Sequence, residues 1–213
     1  MHCSGLVKHV RATGDLITGH TTFNDYQFML RVYKTYDFSK GRGGASYPGA
    51  VSSFSSRPGD LHSKDDFYAL SSGLSVLETS LTVFDKSIYG ELSPRSVPCW
   101  ARVHVANRAA ATADGWASIF GEHNSGTHNN QWIATDYKRL PTSGGALPPN
   151  TAWMLEQMPG KVVAEDVTDV LAEDTFLYSI NIPKFEVIFD LSGYNETAFN
   201  YTTDVRAQMF RRD

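Results

Sequence analysis

The sequence predicts an α+β fold, a layered domain of antiparallel strands with helices set apart from them. Three observations carry this. Strand-like segments come in groups and helical ones in groups, with no strict strand–helix–strand alternation. No internal repeat, heptad or low-complexity segment interrupts the chain, which excludes solenoids and coiled coils. The length of 213 residues suits one large domain over 1–213, burying roughly 70% of its unfolded surface without a disulfide or metal.

The elements follow in order. Residues 4–10 and 16–23 read as a hairpin around Thr13-Gly14-Asp15. Tyr26, Met29, Leu30 and Tyr33 stand at helical spacing, so a helix is expected from about residue 26 toward 37, capped by Asn24 or Asp25. Residues 39–49 form a glycine-rich loop. Strands are expected over 50–55, 67–70 and 74–81, with Arg57-Pro58-Gly59-Asp60 as a turn. From Pro94 the pattern turns helical through Val97, Trp100, Val103 and Val105. Asp114-Gly115 is expected to break it before a short helix over 116–120. A polar loop (122–130) precedes a strand at 131–137. Residues 141–151 are a loop and 152–158 a strand. Short helices are expected at 166–173 and from Pro183 to 189, and the tail from Ser192 reads as polar and turn-rich.

Composition excludes several functions. Nineteen Lys+Arg against 23 Asp+Glu give a net charge of −4, unlike the basic stripe of a nucleic-acid binder. No apolar run exceeds four residues, so no transmembrane segment is expected. Cys3 and Cys99 admit one bridge, two buried thiols or one reactive thiol. Cys99 lies among apolar helical residues and reads as buried and inert. His123 and His128 stand five apart without a carboxylate cluster, which is poor metal spacing. Gly41, Gly43 and Gly44 lack the strand–helix setting of a phosphate loop. No metal or cofactor is expected. Asp65-Asp66 and Glu165-Asp166 read as solvated faces or helix starts. Asn195-Glu196-Thr197 and Asn200-Tyr201-Thr202 are glycosylation sequons, as in a secreted or lysosomal glycoprotein. The chain shows no basic-then-apolar leader, so it is either intracellular or lacks the start of its precursor.

Cys3 is the sharpest chemical feature. On residue type alone it is an ordinary small residue near a terminus. If the His2–Cys3 bond were cut, however, its α-amine, with an unperturbed pKa of about 7.7–8.0, would serve as general base for its own thiol. Asn129 and Asn130, just before the strand at 131, are either turn formers or a source of one amide donor for an oxyanion. Asn129 is preferred.

Several long strings resemble the phospholipase B-like family. They are residues 2–36 (HCSGLVKHVRATGDLITGHTTFNDYQFMLRVYKTY), 54–72 (FSSRPGDLHSKDDFYALSS), 73–79 (GLSVLET), 103–108 (VHVANR), 124–137 (NSGTHNNQWIATDY), 153–160 (WMLEQMPG), 178–183 (YSINIP), 191–194 (LSGY) and 207–213 (AQMFRRD). The resemblance implies an N-terminal-nucleophile hydrolase with an αββα sandwich, two antiparallel sheets between helical layers. It implies processing between His2 and Cys3, with Cys3 as nucleophile. It places His20 in the pocket, where it orients or polarises the substrate carbonyl. Phe23 departs from the family, which tends to have Trp there in a histidine-x-x-tryptophan pattern. The aromatic wall survives and the indole N–H does not. Asn24 and Asp25 either cap a helix or support the site. Thr79, with Ser80 as near alternative, supplies a hydroxyl to the ligand.

The implied activity is removal of acyl chains from glycerophospholipids. The alternatives are amide hydrolysis by the same machinery, or an inactive fragment in which Met1-His2 still blocks Cys3. The implied partners are a phospholipid or other acylated substrate and an N-terminal propeptide. The implied location is the lysosome or the exterior. Family members are longer at both ends, so the chain is expected to be a fragment carrying part of the sandwich.

Overall fold

The computed structural model describes residues 2–40, 46–63, 67–142 and 145–212. Gly41, Gly43, Gly44, Asp65 and Asp66, and residues 143–144 of the loop at 141–151, lie outside them. Among the described residues ten strands form two antiparallel sheets. The small one has the order β10-β1-β2, from β1 (His2–Val10), β2 (Asp15–Phe23) and β10 (Phe176–Ser179). The large one runs β3 to β9 in sequence order: β3 (Val32–Asp37), β4 (Val51–Ser56), β5 (Phe67–Leu70), β6 (Leu74–Ser80), β7 (Asn130–Asp136), β8 (Ala152–Met158) and β9 (Lys161–Asp166). The helices are α1 (Cys99–Ala109), α2 (Ala113–Gly121), α3 (Thr168–Asp174), α4 (Glu186–Leu191) and α5 (Val205–Arg212).

Strand alternation separates three cores. Val7, Leu16 and Leu177 of the small sheet meet Leu77, Ile133 and Met154 of the large one, with Leu171 of α3 and Ile188 of α4 closing the gap between them. The other face of the large sheet takes α1 and α2, where Trp116 and Phe120 stack at 4.8 Å and pack on Trp132. The outer face of the small sheet takes α5, whose Ala207 is buried with Tyr178 and Ile180. This is the αββα sandwich the resemblance implies. The sheets approach closely at Gly5, where a Cβ would stand 2.5 Å from Leu77 Cδ1. A side chain there would force Leu77 to shift.

The structure corrects several elements. The helical spacing at 26–33 yields one 3-10 turn (Tyr26–Phe28), and β3 follows. Tyr26, Met29, Leu30 and Tyr33 are all exposed, so the stripe has no core to bury against. The β-branched and aromatic residues after it instead join β4. Asp25 precedes that turn without a side-chain cap. Asp114-Gly115 does not interrupt a helix. Both lie in the first turn of α2, and the Thr112 hydroxyl caps it by accepting from Gly115 N–H at 3.3 Å. Strands β9 and β10 and helix α5 are additions. Pro159-Gly160, with Gly160 at φ +70°, turns β8 into β9 with Met158 opposite Lys161. Asp166 ends β9, and its carboxylate accepts from the N–H of Thr168, the first residue of α3, at 2.9 Å. Cys3 and Cys99 are both buried, and they are not joined in a disulfide.

Candidate active site

Alternation along β1 turns Cys3, Gly5 and Val7 toward the large sheet, and Cys3 is fully buried. Its backbone is gripped at both polar atoms. The Cys3 N–H donates to Asn181 Oδ1 at 2.8 Å. The Cys3 carbonyl accepts from an Arg206 guanidinium nitrogen at 2.8 Å, and the same nitrogen donates to Asn181 Oδ1 at 3.0 Å. Arg206, from α5, also donates to the Ile180 carbonyl and pairs with Asp204 at 3.2 Å.

Asn181 is the hub. It follows β10 in the left-handed region, at φ +64°, a conformation asparagine tolerates better than most residues. Its N–H donates to Thr79 Oγ1 at 3.0 Å and its amide nitrogen to the Ser80 carbonyl at 2.8 Å. Its carbonyl accepts from the Tyr194 hydroxyl at 2.7 Å. Every polar group of Asn181 is therefore occupied, which over-determines the strained backbone. Thr79 and Ser179 are fully buried, their hydroxyl oxygens 2.7 Å apart.

His20 lies on β2 opposite Gly5, with Thr22 opposite Cys3. Its Nε2 stands 2.7 Å from the Glu78 backbone carbonyl. A carbonyl only accepts, so Nε2 carries the proton, and Nδ1 is left facing the Thr22 hydroxyl at 3.5 Å. Phe23, half-exposed, and Asn24 line a cavity of about 530 Å³ with His20, Thr22, Tyr26 and Met29. The Asn24 side chain accepts from the next N–H, that of Asp25, at 2.9 Å.

The two candidate amides part company. Asn130 lies on the helix-facing side of β7, fully buried, donating to a Glu78 carboxylate oxygen at 2.6 Å and accepting from Gln157 at 3.2 Å. It points away from Cys3. Ser80 shares that side, its hydroxyl 3.1 Å from His128 Nε2, which leaves Thr79 as the hydroxyl on the side of Cys3. Asn129 continues the β6–β7 pairing, its carbonyl accepting from Leu81 N–H at 2.8 Å. Alternation puts it on the Gln131 and Thr79 face. Its amide donates to the Gly126 carbonyl at 3.0 Å, while its buried Oδ1 has no hydrogen-bond partner among the described residues.

Glu156 of β8 points between the sheets. Gln131, opposite Thr79, donates to it at 2.5 Å, and the N–H groups of Lys184 and Phe185 at 2.6 and 3.2 Å. Burial pushes its carboxyl up to about 7, with these bonds opposing the rise. Asn195 and Asn200 are exposed. Among the described residues no group of three or more His, Cys, Asp or Glu could hold a metal ion, and no helix is long and apolar enough to cross a membrane.

Sequence reasoning missed Asn181, Arg206, Ser179 and Tyr194. The first and third lay inside the YSINIP string, but no spacing rule joins residues more than 170 positions from Cys3 to it.

The profile of the family described as Phospholipase B matches residues 1–213. Phospholipase B-like protein G of Dictyostelium discoideum is 38% identical over 99% of this chain and 37% of its own length. Phospholipase B-like protein A of the same organism is 39% identical over 100% of this chain and 38% of its own. The chain thus spans well under half the length of these relatives. Among solved structures, penicillin V acylase from Agrobacterium tumefaciens superposes with a TM-score of 0.53, at 15% identity, over 99% of this chain and 63% of its own. That likeness is one of fold.

Proposed function

The chain belongs to the phospholipase B family, and from that premise we propose that it carries the nucleophile and pocket of an acyl hydrolase acting on glycerophospholipids. One observation carries the reading. The nitrogen that cleavage between His2 and Cys3 would free is already fixed at 2.8 Å from Asn181 Oδ1.

In the proposed reaction the freed α-amine takes the Cys3 thiol proton, and the sulfur attacks the acyl carbonyl. The oxyanion accepts hydrogen bonds from Thr79 and from the amide proton that Asn129 does not give to Gly126, each donor worth roughly 3 kcal/mol. His20, its tautomer set by the Glu78 carbonyl, orients the substrate carbonyl. Collapse breaks the C–O bond, and the leaving alkoxide takes the ammonium proton. Water, deprotonated by the amine, then attacks the thioester. The fatty acid leaves and the thiol takes back its proton. In this reading the acyl chain enters along the cavity beside His20, where Phe23, Phe28, Met29 and Phe67 offer apolar surface among polar lining residues.

The oxyanion donors act on a carbonyl whatever atom leaves it, so an N-acyl amide is the second candidate substrate. Glycosylation at Asn195 and Asn200, a propeptide partner and a lysosomal or secreted location belong to the same proposal. The test is intact-mass analysis with fatty-acid release from phosphatidylcholine at acidic pH. A mass beginning at Cys3 and loss of release in Cys3→Ala are expected. Release by protein retaining Met1-His2, or an undiminished Cys3→Ala rate, would sink the mechanism.

A further inference from the structure

The hydroxyls of Thr79 and Ser179 hold a count that does not close. The two oxygens are 2.7 Å apart and both residues are fully buried. Thr79 Oγ1 also accepts the Asn181 N–H at 3.0 Å. Ser179 Oγ has Thr79 as its hydrogen-bond partner among the described residues. Two hydroxyls carry two protons, and the bond between them uses one. One donor is left over at a pair of fully buried hydroxyls.

Which oxygen keeps it depends on direction. If Thr79 donates to Ser179, the spare proton lies on β10, one strand behind the site. If Ser179 donates to Thr79, both lone pairs of Thr79 Oγ1 are filled, by the Ser179 O–H and the Asn181 N–H. Its own proton must then point elsewhere. Asn181 joins the two ends of this arrangement, since its N–H fixes Thr79 while its Oδ1 fixes Cys3 N. Ser179 stands opposite Gly5, two residues along β1 from Cys3.

We infer that Ser179 is a positioning residue, whose hydroxyl donates to Thr79 and thereby turns the Thr79 proton onto the carbonyl oxygen of the acyl substrate. This rests on the acyl-hydrolase reading above. It adds a residue that would touch neither substrate nor Cys3. With Ser179 in place the donor is aimed before substrate arrives, so no reorientation is needed as charge develops.

The test compares two probes of Cys3 in the full-length protein after the His2–Cys3 bond has been cut. Iodoacetamide alkylates the thiolate and builds no oxyanion. A fatty aldehyde adds the thiol to its carbonyl and forms a hemithioacetal, whose oxygen needs the donor. Ser179→Ala is expected to leave the alkylation rate unchanged, weaken aldehyde inhibition about tenfold and lower kcat rather than raise KM. Ser179→Thr, which keeps the hydroxyl, is expected to restore aldehyde binding. Thr79→Val should lose aldehyde binding roughly 100-fold. Equal aldehyde affinity in Ser179→Ala and the parent overturns the inference. So does a parallel loss of alkylation and aldehyde binding, which marks a merely structural role. If the parent itself fails to be alkylated at Cys3, the nucleophile reading fails instead.

Discussion

Replacing Glu156 by Gln should change how stability depends on pH. The carboxyl lies between the sheets, held by Gln131 and by the N–H groups of Lys184 and Phe185. Burial raises it from 4.5 to about 7. The native state therefore holds this proton more tightly than the unfolded chain does. Its stabilising share is fully present below pH 4.5 and is lost as pH rises through 7. A difference of about 2.5 units corresponds to ~3 kcal/mol, or roughly 6–12 °C in Tm for a chain of this size. Gln keeps an oxygen for Gln131 and Lys184 but presents N–H₂ to the Phe185 N–H, at a cost of ~1 kcal/mol at every pH. His104, which burial depresses, works in the opposite direction in both proteins and cancels in the difference. Urea unfolding at steps from pH 4.5 to 8 should show the parent above Glu156→Gln at the acidic end and below it at the alkaline end. Parallel curves across that range would refute the reasoning.

Other substitutions test the packing and the pocket. Gly5→Ala should drive a methyl into Leu77 and cost about 1–3 kcal/mol by overpacking, read as a fall in the urea midpoint at unchanged slope. Asn181→Ala removes the acceptor for Cys3 N and puts alanine at φ +64°. A loss of ~2–4 kcal/mol is expected, with Asn181→Asp recovering part of it because it keeps an acceptor oxygen. Phe23→Ala should leave Tm within about a degree, since the ring is half-exposed, yet raise KM for long-chain esters roughly tenfold through lost apolar contact. An unchanged KM would remove Phe23 from the acyl path.

The hairpin at the start was legible because alternation and Thr13-Gly14-Asp15 are local signals, and β1 and β2 formed where they indicated. The stretch at 26–33 misled because periodicity reports which residues share a face, not whether anything covers that face. Tyr26 is 88% exposed. Strand β9 was foreshadowed by Pro159-Gly160, a turn signal left unused, while β10 and α5 are too short or too polar to announce themselves. Cys3 and His20 were raised by the family strings, because residue type alone leaves Cys3 an ordinary small residue near a terminus.

Sequence by itself determined the α+β class, the early hairpin that carries Cys3 and His20, and the resemblance that implies Cys3 as nucleophile. Tertiary structure decided which polar groups meet Cys3. Asn129 and Asn130 are neighbours in the chain, but the period of two along a strand sends them to opposite faces, one onto the Gln131 and Thr79 side and one toward Glu78. Asn181 and Arg206 reach Cys3 from 178 and 203 residues away. Their selection follows from antiparallel pairing of β1 with β10 and from the docking of α5 on the small sheet, long-range contacts that no local pattern encodes.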